Sequence, residues 1–276
     1  MHVQSADAVM NDESVRSGMH WLARTGYATK GFLYFLLGAL SVQAAVGVGA
    51  PKGSKETIEE LGQQPFGTVM LTLTAIGLGA YALWRAVQAA LDPENVGNDA
   101  KGIAKRIGYG ASAAAHVSLC VATVQLAIGA GGEGGGDKKV SYVAEMMTST
   151  VGQVVVGVIG LVLIGFGLQQ LKKAKTTEFS KTLDLSDMGA RGRKVAIWTG
   201  RLGLAARGVV FPIMGVFLVR AALTTDASKV RGVQGALREV SQSTFGDAML
   251  LVVAIGLAAY GIFQLVQARY RRIPAG

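Results

Sequence analysis

The chain repeats one two-helix plan three times, and this repetition constrains the fold more than any other feature of the sequence. Each unit has a basic residue, a long apolar segment, a short polar segment with a glutamate, and a second long apolar segment. The first segments begin at Arg24-Thr-Gly26-Tyr27, Arg106-Ile-Gly108-Tyr109 and Arg201-Leu-Gly203-Leu204, and the second at Phe66-Gly67, Val151-Gly152 and Phe245-Gly246. Internal repetition indicates an architecture built from similar units.

The apolar segments are long enough to cross a membrane. They lie near residues 26–49, 67–91, 108–131, 150–171, 203–224 and 247–268, and a bilayer core needs about 20 apolar residues. Only 16% of the residues are charged, against about 25% in a soluble domain. Two helices per unit bring every unit into the membrane in the same direction. The sequence therefore predicts an all-α polytopic membrane protein, with six transmembrane helices in three pseudo-threefold-related repeats.

Charge placement predicts the orientation. Most of the 27 lysines and arginines lie at the two ends of the chain or between repeats, and the positive-inside rule then makes both termini cytoplasmic. The basic segments lack the modules of nucleic-acid-binding proteins, so no nucleic-acid partner is expected. The predicted segments are a cytoplasmic amino-terminal segment 1–20, repeats 21–93, 102–176 and 196–273, and a basic cytoplasmic linker 177–195.

Six cations near the predicted cytoplasmic surface are candidates for binding lipid headgroups. Three of them begin the first helices of the repeats, two lie one turn deeper, where Ser112 is their counterpart, and one lies near the end of the first repeat's second helix. Basic pockets between helices on that side bind anionic headgroups. The alternative is that each side chain snorkels to the interface independently. The candidates are Arg24, Lys30, Arg85, Arg106, Arg201 and Arg207.

A glutamate precedes the glycine of each second-helix start by seven residues, at Glu60, Glu145 and Glu239. Apolar residues flank each glutamate with the spacing of one helix face, which predicts a short interfacial helix. Around a threefold axis the glutamates would form an outer acidic ring, and carboxylate rings attract cations. The alternative is an ordinary helix carboxylate that faces water or pairs with a neighbour.

Small residues predict where helices pack closely, since lipid supplies no hydrophobic force between helices. Two small pairs, Gly31 with Gly38 and Gly208 with Gly215, predict packing surfaces of the bundle. The fourth apolar segment has the highest glycine density, and we expect it to contact a partner helix. Its candidates are Gly152, Gly157, Gly160, Gly165 and Gly167.

Catalytic and metal-binding patterns are weak. The single cysteine, Cys120, aligns with glycines and is expected to be a packing residue. His116 aligns with Tyr34 and Phe211, which favours a packed ring over a ligand, although an ionisable group at that depth is also a functional candidate. The glycine-rich run 131–138 lacks the ending of a phosphate-binding loop and is expected to be a linker. We therefore predict no catalytic residue, no metal and no cofactor.

The Arg-x-Gly-Tyr openings and the Phe-Gly starts resemble those of domain-of-unknown-function family 1206, a group of uncharacterised bacterial membrane proteins with three tandem two-helix repeats. The resemblance extends from Trp21 to about Ile273, and the second repeat departs from it at Val151. It implies a bacterial membrane location and almost nothing about chemistry, because the family has no assigned activity. We expect a multi-pass protein of the inner membrane.

Two functional hypotheses remain. The first is a non-enzymatic accessory or scaffold subunit of an inner-membrane assembly, which packs against anionic lipid and against helices of other membrane-protein subunits. The second is a small transporter or channel with a pathway along the pseudo-threefold axis. The predicted spans contain no carboxylate at mid-depth, which transport sites commonly have, so the first hypothesis is favoured.

Overall fold

The computed structural model describes residues 13–130 and 145–272, and in these residues the long elements are all α-helices. In chain order the helices are α1 (Glu13–Ala45), α2 (Ser54–Gly62), α3 (Gly67–Ala90), α4 (Ala100–Ala127), α5 (Thr150–Thr176), α6 (Ala190–Thr224), α7 (Val233–Ser241) and α8 (Gly246–Tyr270). The predicted all-α class is confirmed. The short helices α2 and α7 each precede the second long helix of a repeat, as the apolar spacing around the glutamates predicts.

Five of the described helices, α3, α4, α5, α6 and α8, are long and apolar enough to cross a membrane. Helix α1 has 33 residues but is not among the five. Lys30, Ser41 and Gln43 interrupt its apolar sequence, and the first two of these side chains are buried in the bundle. The helices fit a multi-pass membrane protein. The described helices that are long and apolar enough to cross a membrane number five, whereas the sequence predicts six.

The helices form a ring in which each repeat meets the next in the same way. The second helix of one repeat packs against the first helix of the following repeat: α3 against α4, α5 against α6, and α8 against α1. Helices α1 and α6 begin, and α3, α5 and α8 end, at one side of the bundle, which we name the inter-repeat end. The opposite side carries α2 and α7 and is named the short-helix end. This cyclic order is the pseudo-threefold arrangement that the sequence predicts.

Three equivalent aromatic pairs mark the boundaries between repeats. Their members occupy matching positions in the three repeats, and His116 takes the place of an aromatic ring in one pair. The pairs are Tyr34 with Tyr260, Tyr81 with His116, and Phe166 with Phe211, with ring centroids 4.8, 4.5 and 5.2 Å apart.

Small residues allow these boundaries to pack closely. A Cβ atom added at Gly31 would lie 2.9 Å from the carbonyl oxygen of Gly261 in α8, and one added at Gly215 would lie 2.5 Å from that of Gly160 in α5. In α4, Cys120 occupies the position that matches Gly215, and its thiol lies 3.2 Å from the carbonyl oxygen of Ala75 in α3. These contacts confirm the predicted packing surfaces.

The glycine that starts each second helix has a backbone cause. A Cβ atom at Gly67, Gly152 or Gly246 would overlap the carbonyl oxygen at the end of the preceding turn or short helix. The chain therefore turns too tightly for any side chain at these positions. The repeated glycine is a requirement of the connection.

The ring is open inside the second repeat. In the other repeats the two helices touch, because Gly26 lies against Tyr81 and Gly203 lies against Tyr260. Within the described residues α4 and α5 make no comparable contact, and Gly108 faces open space. Phe166 is 38% exposed, whereas its counterparts Tyr81 and Tyr260 are 0% and 4% exposed. We name this opening, between Gly108 of α4 and Phe166 of α5, the α4–α5 cleft.

Candidate functional site

Two cations are buried inside the bundle at matching positions of the first and third repeats. Lys30 and Arg207 are only 7% and 9% exposed. The Lys30 ammonium group donates a hydrogen bond to the Tyr81 hydroxyl at 2.9 Å, and the Arg207 guanidinium donates one to the Tyr260 hydroxyl. Each cation thus binds the tyrosine on the second helix of its own repeat. The same geometry arises twice because the repeats place the same residue types at the same offsets.

Aromatic rings surround these two cations. Lys30 Nζ lies 4.6 Å from the ring centroid of Tyr81, and Arg207 Cζ lies 4.5 Å from that of Tyr260 and 4.8 Å from that of Phe211. Cation–π attraction contributes roughly 0.5–2 kcal/mol at such a site. The rings hold the cations in place but leave their net charge uncompensated.

Arg85 joins the same cluster from α3. Its Nε and Nη2 atoms donate to the Tyr81 hydroxyl at 2.9 and 2.6 Å, so that the donors of Arg85 and Lys30 converge on one phenolic oxygen. A hydroxyl offers only two lone pairs as acceptors. The Nε atom of Arg207 is buried and has no hydrogen-bond partner. The site therefore has more cationic donors than acceptors.

A polar network continues from this cluster to the inter-repeat end. Arg85 donates to Gln88 at 2.9 Å, and Gln88 donates to Glu94 at 2.8 Å. Glu94 also accepts a hydrogen bond from Tyr109 at 3.0 Å and forms an ion pair with Arg271 at 2.6 Å. Burial alone would raise the pKa of the Glu94 carboxyl, but the charge and hydrogen bond of Arg271 and the hydrogen bond of Tyr109 outweigh it and lower the pKa.

The charges of this network do not balance. Within the described residues, Glu94 is the carboxylate of the network and pairs with Arg271, whereas no carboxylate forms an ion pair with Lys30, Arg85 or Arg207. We name these three residues the cationic cluster. Buried charge without a counter-charge is unfavourable, so the arrangement is suited to binding an anion.

The remaining headgroup candidates have other surroundings. Arg106 donates to the carbonyl oxygens of Ala89 and Ala90 at 2.8 and 2.9 Å, and Arg201 donates to those of Ala174 and Lys175 at 3.2 and 3.3 Å. Both arginines thus bind carbonyl groups at the end of the preceding long helix, where such groups lack helical partners. Arg24, the counterpart in the first repeat, is exposed.

The sequence did not indicate that Arg271 and Glu94 belong to the site. The positions that match Arg271 in the other repeats hold Asp92 and Thr177, so the repeat alignment carries no signal there. Glu94 lies in a connection between repeats. The structure brings the two together, and Arg271 also donates to Gln267 at 3.0 Å.

The predicted acidic ring consists of glutamates at the short-helix end. Glu60 lies on α2 and forms an ion pair with Lys52. Glu239 is exposed on α7, and Glu145 is exposed in the helical segment 145–147 that precedes α5. These surroundings agree with the alternative of helix carboxylates that face water or pair with a neighbour. A shared cation site at the three positions stays a prediction.

The glycines of α5 pack inside the chain, which corrects the expectation of a partner-helix face. A Cβ atom at Gly160 would lie 2.7 Å from the carbonyl oxygen of Gly215, and one at Gly167 would overlap the Pro212 ring, both in α6. A Cβ atom at Gly157 would be 3.5 Å from Ala222 of α6, and Gly152 is required by the turn before α5. Of the five candidates, only Gly165 faces open space.

Two other kinds of site, a metal site and a phosphate-binding loop, were considered from the sequence. Among residues 13–130 and 145–272, no three His, Cys, Asp or Glu side chains form a group that could hold a metal ion. The glycine-rich run 131–138 lies outside the described residues.

Comparisons with known proteins place the three repeats in one family. The model of the family described as Domain of Unknown Function (DUF1206) matches residues 25–92, 107–177 and 202–271, which are the three repeats. The chain is 32% identical over 250 residues to "Uncharacterized protein YxxB" of Bacillus subtilis (strain 168), covering 91% of this chain and 90% of that protein. No solved structure matches the chain. With three family matches that fall on its three helix pairs, the chain belongs to the DUF1206 family.

Proposed function

We propose that this chain is a non-enzymatic integral membrane protein that holds the headgroup of an anionic lipid inside its helix bundle. The observation that carries the proposal is the cationic cluster, in which Lys30, Arg85 and Arg207 share hydroxyl, amide and aromatic partners but no carboxylate. The buried, unpaired Nε of Arg207 is a further free donor. Phosphate oxygens accept several such hydrogen bonds at once, and bonds between charged partners are the strong ones.

The depth of the cluster fits a headgroup from one leaflet. Arg85 lies five residues before Ala90, the end of α3, which corresponds to about 7.5 Å along the helix. Lys30 lies deeper. A headgroup that enters the bundle from the inter-repeat end therefore meets Arg85 first. It then needs to move only a short distance further along the bundle to reach Lys30.

The transport alternative has less support. The polar network extends from the inter-repeat end as far as Lys30 and Arg207. Towards the short-helix end, a core cluster that includes Leu37, Val210 and Leu257 packs between α1, α6, α7 and α8. A polar network that ends at an apolar cluster favours a binding site over a pathway.

The accessory-subunit hypothesis remains, but the glycines of α5 no longer support it. Because Gly160 and Gly167 contact α6, these two glycines are not available to pack against another subunit. The hypothesis now depends on whether other membrane-protein subunits co-purify with the chain. Native mass spectrometry of the purified chain detects bound lipid and bound subunits in the same measurement.

The test uses the whole chain, purified in mild detergent and incorporated into nanodiscs of zwitterionic and anionic phospholipid. Native mass spectrometry of the released protein is expected to show about one tightly held anionic lipid per chain. The double variant Lys30→Met, Arg207→Met should lose it and stay folded, because apolar replacement of buried charge is often neutral or stabilising.

The matched control is Arg106→Gln, which removes a cation at the same end of the bundle but outside the cluster. This variant is expected to keep the bound lipid. Equal amounts of anionic lipid on the wild type and the double variant would overturn the proposal. A wild-type chain without bound anionic lipid would overturn it as well.

A further inference from the structure

Among residues 13–130 and 145–272, the α4–α5 cleft is an opening that only the second repeat has. In the first repeat Gly26 packs on Tyr81, and in the third Gly203 packs on Tyr260, so both helix pairs are closed. At the matching places of the second repeat, Gly108 is uncovered and Phe166 is 38% exposed. In the part of the chain that the structure describes, the bundle is therefore closed towards the bilayer at two of its three repeats and open at the third.

Both walls of the cleft reach the cationic cluster. On the α5 side, the ring centroid of Phe166 lies 5.6 Å from Arg207 Cζ. On the α4 side, the ring of His116 lies 4.5 Å from the ring of Tyr81, whose hydroxyl accepts the hydrogen bond of Lys30. One side chain on each wall thus separates the opening from a buried cation.

The residue types of the second repeat differ where the cleft meets the cluster. Ser112 stands where the other repeats have Lys30 and Arg207, and Phe166 stands where they have a tyrosine. The second repeat therefore contributes neither the cation nor the phenolic acceptor. Its side chains leave more room, and the cleft has an apolar wall that leads to a cationic interior.

We propose that the α4–α5 cleft is a lateral portal for the anionic lipid, a role that rests on the function proposed above. The phosphate lies on the cationic cluster, and the acyl chains pass between α4 and α5 into the bilayer. A lipid has both properties that the site requires: a negative charge for Lys30 and Arg207, and an apolar tail for the opening beside Phe166. A free anion would need no side opening, since it would arrive from water past Arg271 and Glu94.

The test narrows the cleft and measures lipid exchange. Gly108→Trp places a large side chain in the opening, and Ile107→Trp places the same side chain at the same depth, about 100° around the helix, where Ile107 is already exposed. Chains loaded with anionic phospholipid are mixed with nanodiscs that contain a mass-labelled form of that lipid. Native mass spectrometry follows replacement of the bound lipid.

Exchange should slow by about tenfold or more in Gly108→Trp, because a blocked exit acts mainly on the dissociation rate, and it should be unchanged in Ile107→Trp. If wild type and Gly108→Trp hold the lipid and exchange it at the same rate, the portal is overturned while the lipid-binding function stands. If the wild type holds no anionic lipid but binds inorganic phosphate from solution, both ideas fail and the ligand is a soluble anion.

A second measurement does not depend on filling the cleft. A photo-crosslinking amino acid at Phe166 should attach to the acyl chains of anionic lipid, and the attachment should disappear in the Lys30→Met, Arg207→Met background. At Leu168, which is also exposed on α5, attachment to lipid should be the same in both backgrounds. Equal crosslinking at Phe166 in both backgrounds would overturn the portal, since the acyl chains there would then be ordinary bilayer lipid.

Discussion

Glu94 is the position where a single charge change should have the largest effect on stability. Glu94→Gln keeps one acceptor oxygen for Gln88 or Tyr109 but removes the negative charge that pairs with Arg271. The two side chains of the pair are only 12% and 16% exposed. Removing one partner of a buried ion pair costs about 3–5 kcal/mol. Because some water reaches this pair, we expect the lower limit, about 3 kcal/mol.

Reversible unfolding in mixed micelles of mild detergent and dodecyl sulfate, followed by circular dichroism, measures this change. The matched control is Glu59→Gln on α2, which breaks the more exposed pair with Lys55 and should cost less than about 0.5 kcal/mol. Combining Glu94→Gln with Arg271→Met should recover part of the loss, because Arg271 is then no longer a buried charge that has lost its partner. The reasoning is refuted if Glu94→Gln costs no more than Glu59→Gln.

The pH dependence gives an independent check. The folded state lowers the pKa of the Glu94 carboxyl below its ordinary value, because Arg271 and Tyr109 stabilise the charged form. Its contribution to stability is therefore fully present above the unfolded pKa and is lost as the pH falls through the folded pKa. The stability difference between wild type and Glu94→Gln should shrink below about pH 4.5. A difference that stays constant in this range would mean that the Glu94 charge is not its source.

Three further predictions concern packing and orientation. Gly203→Ala should destabilise the chain by about 1–3 kcal/mol in the same unfolding assay, whereas the repeat-equivalent Gly108→Ala should be nearly neutral because its side chain meets open space. Gly160→Leu should reduce the yield of folded protein, since α6 leaves no room for a side chain; a fully stable variant would contradict the packing of α5 on α6. In a chain with Cys120→Ser, an impermeant thiol reagent added outside should label cysteines placed at Ser54 and Ser228 but not those placed at Asn98 and Ser186. Labelling at Asn98 and Ser186 instead would overturn the predicted orientation.

Part of the candidate site could be predicted because it follows the repeats. Lys30 and Arg207 share one offset, and Arg85 lies near the same end of its helix, so aligning the repeats identified all three. Arg271 and Glu94 could not be found in this way. Arg271 follows the end of α8, and Glu94 lies in the connection after α3. The residues at these helix ends differ between the repeats, and the pairing depends on how the two segments meet at the inter-repeat end.

The helices, their number per repeat and their cyclic order can be inferred from the sequence alone. These features depend on the length of apolar segments and on the recurrence of glycine at close contacts, both of which are local and repeated three times. Even the aromatic pairs between repeats follow from matching offsets, with His116 in place of a ring.

Which surfaces of these helices are covered depends on how the helices pack in three dimensions. Lipid is as apolar as a protein core, so the composition of a span does not tell whether a face meets lipid or another helix. The glycine density of α5 therefore predicts a partner helix, although Gly157, Gly160 and Gly167 lie against α6 of the same chain. For the same reason Gly108 looks in sequence like Gly26 and Gly203, and only the distance between α4 and α5 leaves it uncovered, beside the cleft that leads to the cationic cluster.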